Sequence, residues 1–296
     1  MDLRERFALY LKQSGASQSA AAKSIGMSSA AVSTWLNGKY AGDVRGLEEK
    51  IEAYLRLQEN RRADKKLQIA YVRTQSGRRI ADTLHLAHAE CEPVVVYGQA
   101  GLGKTAAVAD YAAKNPDVLL IEADPTYTAK VVLKKLAEQA GADAKGNLHE
   151  LMEGVIGRLK DSGRLVIVDE AELLPLRSLE CLRRIHDKAG VGLALVGMPR
   201  LLVNLRGSRG ELKQLFSRIA FKLDLGDETA DTELAQIAES SLKGADAATI
   251  AELVTAARGN TRRLVKLLRG VSRLSKLHQE PANAEMVRQF AQMLIH

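Results

Sequence analysis

A parallel α/β sheet set between two all-helical segments is the architecture that this sequence predicts. Short apolar, β-branched runs at residues 94–97, 118–121, 165–168 and 192–196 alternate with helical stretches, and a weaker fifth run lies at 219–223. Continuous apolar strands separated by helices belong to parallel sheets covered on both faces. Strand patterning ends at Gly226, and before residue 58 the apolar residues recur at helical spacing instead. A domain order of 1–57, 58–80 (linker), 81–226 and 227–296 follows.

Residues 3–57 place Phe7, Leu11, Ala22, Ile25, Val32, Leu36, Leu47, Ile51 and Leu55 on apolar helix faces. Within them, residues 18–36 have the spacing of a helix-turn-helix. Ala22 is small where two helices would cross, and Gly26 stands at a turn that needs positive φ. Ser28 is placed to cap the second helix, with Val32 and Leu36 anchoring it and Trp35 beside them. The second helix offers Ser28, Ser29, Ala30, Ser33 and Thr34, and no Arg, Asn or Gln before Asn37 for bidentate base contacts. Weak or sequence-independent DNA binding is therefore expected, with Lys23 and Lys39 near phosphates; a protein-contact role is the alternative.

The 58–80 segment carries Arg61, Arg62, Lys65, Lys66, Arg73, Arg78 and Arg79. It reads either as a solvated connector or as a strip that touches a phosphate backbone. After Gly226, three or four amphipathic helices are expected, broken at Gly244, Gly259 and Glu280-Pro281.

The composition is that of a soluble protein: 296 residues, 46% hydrophobic and 27% charged, long enough for about two domains. No apolar run approaches the ~20 residues of a membrane-spanning helix. The charged start, residues 2–6, lacks the apolar stretch of a signal peptide, and Cys91 and Cys181 build neither a disulfide framework nor a zinc site. A cytoplasmic protein is expected. The net charge of +7 favours an anionic partner, while the 4% aromatic content argues against stacking platforms for single strands.

Residues 98–105, Gly-Gln-Ala-Gly-Leu-Gly-Lys-Thr, match the phosphate-loop pattern in full and sit between a strand and a helix, as the motif requires. Gly98, Gly101 and Gly103 let backbone N–H groups turn in around phosphate oxygens, and the helix N-terminus adds its dipole. Lys104 would reach the β- and γ-phosphates, and Thr105 would place its hydroxyl on Mg²⁺. The run 165–168 then delivers Asp169 and Glu170 at the carboxyl end of a strand, where open α/β sheets bind ligands. Asp169 suits a Mg²⁺ site, and Glu170 suits polarisation of a water that attacks the γ-phosphate. ATP and Mg²⁺ are the expected cofactors, and hydrolysis is favoured over transfer.

These motifs, on an α/β core followed by a small helical domain, resemble an AAA+ ATPase. The resemblance implies a C-terminal lid whose residues 259–264 carry a second sensor, Arg262. It also implies an arginine finger in the segment 215–219: Arg218, or alternatively Arg209, reaching a neighbouring subunit's nucleotide. The fourth strand departs from the family pattern. It ends Val196-Gly197-Met198-Pro199, where a polar first sensor is usual, so slow hydrolysis is expected.

With the N-terminal module included, essentially the whole chain resembles the transposition protein B family of Mu-like phages. That resemblance implies an ATP-dependent, largely sequence-independent binder of double-stranded DNA. It would assemble as helical filaments, capture target DNA and activate a transposase. Lys130 and Lys134 after the second strand, and Arg177, Arg183 and Arg184 after the third, are the candidate backbone contacts. An ATP-responsive helix-turn-helix regulator and a helicase loader are the alternatives.

Overall fold

The computed structural model describes residues 2–63, 67, 69–206 and 216–295, in two units, Met1–Gln68 and Ile69–His296. The first holds α1 (Leu3–Ser14), α2 (Gln18–Ile25), α3 (Ser29–Leu36) and α4 (Val44–Ala63). A reciprocal capping box between Asp2 and Glu5 starts α1. Gly26, at φ 75°, ends α2 by bonding back to carbonyls of its last turn. The Ser28 hydroxyl then accepts the Ala31 N–H at 3.1 Å to open α3.

Phe7, Ala22, Val32, Trp35, Leu47 and Ile51 form the core of this unit. Trp35, not Leu36, is the second anchor of α3: it is fully buried, while Leu36 is only partly covered. Positions i+3 and i+4 share one helix face, and the larger ring fills the space against α4. Its indole donates to Glu48 at 3.1 Å, and Phe7 meets it edge-on at 6.1 Å. Trp35→Ala is expected to destabilise this unit by about 3–5 kcal/mol. Amide exchange on the whole chain checks this: α1–α4 should lose protection while the sheet keeps its own.

The segment 58–80 is not a linker throughout. Helix α4 runs to Ala63 and α5 (Gln75–Ala89) begins before residue 80. The second unit therefore starts earlier than the strand pattern suggested, because α5 buries Ile80, Leu84 and Ala87 with the strands β1 and β4 defined below. Lys65 and Lys66 lie outside the described residues.

Five parallel strands form the sheet: β1 (Pro93–Tyr97), β2 (Val118–Glu122), β3 (Leu165–Asp169), β4 (Gly192–Gly197) and β5 (Phe221–Asp224). Their order is β2-β3-β4-β1-β5. Helices α5 and α6 (Lys104–Lys114) cover one face. Helices α7 (Ala129–Ala140), α8 (Leu148–Leu159) and α9 (Leu176–Ala189) cover the other. That explains why β1, β3 and β4 read as unbroken apolar runs. A short helix, α10 (Arg200–Arg206), follows β4.

Four helices follow the sheet among the described residues: α11 (Asp231–Ser241), α12 (Ala247–Ala257), α13 (Thr261–His278) and α14 (Ala284–Met293). They pack through Leu234, Leu253, Leu264, Leu268 and Val287, all buried. No described helix is long and apolar enough to cross a membrane.

Candidate nucleotide site

Residues 98–103 leave β1 and lead into α6 at the carboxyl edge of the sheet. The N-cap of α6 is Gly103, at φ 79°, with no side chain to accept the first helical N–H groups. Those donors are left for an anion, and the helix dipole adds to the attraction. The Lys104 ammonium folds over the loop, donating to the Gly98 and Gln99 carbonyls at 2.7 and 2.8 Å. Burial pushes its pKa down, against the pull of Asp169, Glu172 and Glu170.

Three carboxylates converge from β3 and the 3₁₀ turn Ala171–Leu173. Asp169 is buried; its Oδ1 accepts the Glu170 N–H at 2.9 Å, while Oδ2 has no partner among the described protein atoms. Glu170 sits at φ 55°, a left-handed kink that turns its side chain out of the strand direction. Burial, then the charges of Glu172 and Asp169, raise its pKa, and Lys104 and Arg262 oppose them. Arg262 of α13 acts electrostatically on both Lys104 and Glu170, so the C-terminal helices bring a cation to the same place.

The start of α13 also touches the loop directly. The Asn260 amide donates to the Ala100 carbonyl at 3.1 Å, and the Thr261 N–H donates to Gly101 at 2.8 Å. Beside them lies a cavity of about 220 Å³ whose walls include Tyr71, Val72, Leu102, Ala106, Ile237 and Val265. It opens on Gly103, so its apolar walls continue the phosphate site toward a space suited to a flat base. Glu233 ties these elements together, accepting the Ser76 N–H at 2.6 Å. An orphaned buried Asp169 oxygen, a glycine-capped helix and a lysine among carboxylates fit a nucleoside triphosphate with a divalent cation.

Residues 87–205 match the AAA domain family. The Mu-like prophage FluMu DNA transposition protein B of Haemophilus influenzae is 31% identical over 225 residues, covering 74% of this chain and 78% of that protein. The chain belongs to the Mu-like phage transposition protein B family. A second relative, the ATP-dependent target DNA activator B of Escherichia phage Mu, is 30% identical over 219 residues, covering 73% of this chain and 70% of the relative. Two solved structures share the fold. The ORC2 protein of Aeropyrum pernix has a TM-score of 0.59 at 18% identity, covering 78% of this chain and 71% of that one. The RuvB branch migration motor of Thermotoga maritima has a TM-score of 0.51 at 19% identity, covering 74% and 68%. The fold is therefore AAA+, and this transposition protein B family member is an ATPase that binds ATP.

In this B-family chain, Lys104, Asp169, Glu170 and Arg262 come together, and Thr105 follows in the first turn of α6. Arg218 is held by Asp187 of α9, its Nε 2.6 Å from the carboxylate. Arg209 lies outside the described residues. Lys130, Lys134, Arg177 and Arg184 are exposed, as are Lys23 and Lys39 in the first unit. Arg183 is not a free surface cation: its side chain is 13% exposed and pairs with Glu180 and Asp187. Glu172, Asn260 and the cavity walls escaped the sequence reading, because each acquires meaning only from residues distant in the chain.

Proposed function

We propose that the protein is an ATP-dependent activator of target DNA. With ATP bound it assembles on duplex DNA as a filament, largely without regard to sequence, and presents that DNA to a transposase. The observation that carries this reading is the identity of 30–31% with two B proteins over about three quarters of the chain.

The loop N–H groups and Lys104 hold the β- and γ-phosphates, and the cavity beside Gly103 takes the base. Thr105 and Asp169 would hold Mg²⁺, which when bound would supply positive charge to neutralise the phosphates. Glu170 accepts a proton from the attacking water, and its raised pKa suits that task. Arg262 reports the γ-phosphate to the lid. Arg218 becomes the finger for a neighbouring subunit, exchanging its Asp187 partner for phosphate.

Lys130 and Arg177 support DNA contact in a specific way. Each stands in the first turn of its helix, α7 and α9, where the dipole disfavours a cation. Both helices begin at the carboxyl edge of the sheet and pack against each other, so cations and helix N–H groups can share one phosphate strip. Lys130→Ala and Arg177→Ala should each flatten the salt dependence of DNA binding by about 0.9 in log–log slope. A slope equal to that of the unmodified chain removes the residue from the interface.

Negative-stain imaging with unrelated duplexes, with and without ATP, tests the whole reading. Filaments that require ATP and ignore sequence are expected. Discrete dimers on one sequence, indifferent to nucleotide, would replace it with an operator-reading regulator.

A further inference from the structure

Glu172 is a buried carboxylate with no structural partner for one of its oxygens. It is 5% exposed, and Oε2 has no hydrogen bond among the described residues. The 3₁₀ turn after β3 lays this oxygen over Gly197, the last residue of β4, so closely that a methyl group at 197 would overlap it. Asn204 of α10 fixes the turn by donating to the Glu172 carbonyl at 3.1 Å. The carboxylate is also close enough to act electrostatically on both Lys104 and Glu170.

The end of β4 lies between the β1 loop and the β3 carboxylates, and there the chain itself offers only Gly197 and Met198. A thioether is too weak an acceptor to hold a water at a phosphate. A glycine that admits a buried, unpaired carboxylate oxygen is costly unless a donor comes to it. A carboxylate accepts only, which excludes the phosphate itself as partner and calls for a donor that arrives with the nucleotide, a role that a water at the γ-phosphate fills.

We infer that Glu172 orients the attacking water, taking over from the turn of β3 the polar role that β4 does not supply, a role that rests on ATP hydrolysis at this loop. In the step, the water oxygen bonds to the γ-phosphorus while the bond to the bridging oxygen breaks. The electron pair leaves with ADP and one water proton passes to Glu170. Glu172 accepts a hydrogen bond from the other O–H and takes no proton.

The test uses the full chain with duplex DNA and compares Glu172→Gln, Gly197→Ala and Glu170→Gln. Turnover is measured beside equilibrium binding of a fluorescent non-hydrolysable ATP analogue and of ADP. Glu172→Gln should lower kcat by 10- to 100-fold with KM unchanged. It should also raise analogue affinity relative to ADP severalfold, because an anion beside the γ-phosphate has gone. Gly197→Ala should displace the carboxylate and reproduce the kcat loss, and the double variant should be no worse than either single one. A Glu172→Gln chain that keeps kcat within twofold and the same analogue-to-ADP ratio overturns the role. So does one that loses both nucleotides, since that marks a structural prop. If Glu170→Gln also hydrolyses normally, the hydrolytic reading of the site falls with it; if only Glu172→Gln does, that reading stands.

Discussion

Lys104→Ala is expected to lose ATP affinity by on the order of 100-fold and, with it, the proposed ATP-dependent assembly on DNA. The ammonium now bonds two loop carbonyls, Gly98 and Gln99. Those are weak partners beside a triphosphate, so phosphate oxygens displace them readily. Burial works against the lysine's charge, and the surrounding carboxylates of Asp169, Glu172 and Glu170 support it. Removing the side chain takes away the cation and leaves those carboxylates facing an anionic ligand. Attraction turns to repulsion. Titration with a fluorescent nucleotide reads the affinity, and co-sedimentation with DNA reads the assembly. Near-normal ATP binding by the variant would mean that the loop N–H groups suffice and that Lys104 has another role.

Glu170→Gln should act at the opposite end of the cycle. The amide keeps the size of the side chain and cannot accept a proton from water. Hydrolysis should fall by roughly 10²–10⁴-fold while ATP binding stays. If ATP holds the assembly together, complexes of this variant on DNA should outlast those of the unmodified chain. Dissociation rates after dilution into competitor DNA measure that. Rapid disassembly with ATP still bound would separate release from hydrolysis and remove Glu170 from the switch. The left-handed backbone at Glu170 matters here, since a kink for a non-glycine residue has a cost that the fold sustains at this strand end. It turns the side chain away from the strand direction that Asp169 keeps.

Much of this was legible in the sequence, for a physical reason. The phosphate loop, the Asp169-Glu170 pair and the helix punctuation by Gly26, Gly244 and Gly259 are local: the same few residues carry both the pattern and its geometry. Apolar runs without alternation announced strands buried on both faces, and the sheet has that burial in β1, β3 and β4. Where one helix face offered two apolar candidates, spacing did not choose between them. Trp35 displaced Leu36 because the gap against α4 takes the larger ring. The reach of α5 was also hidden, since its arginines made the chain look like a connector while Ile80, Leu84 and Ala87 were packing with the sheet.

Pairing between distant residues was decided by tertiary structure alone. Arg183 became half of an ion-pair pattern with Glu180 and Asp187, and Arg218 was drawn to the same Asp187. Asn260 came to rest on the phosphate loop, 160 residues away in the chain. Glu172 met Gly197 only because β3 and β4 are neighbours and both end at the same edge. Residue spacing determines which groups a loop or helix can present. Which charge is neutralised, which oxygen stays unpaired and which cavity faces the loop depend on the packing of separate elements, and that is settled by the free energy of the whole fold.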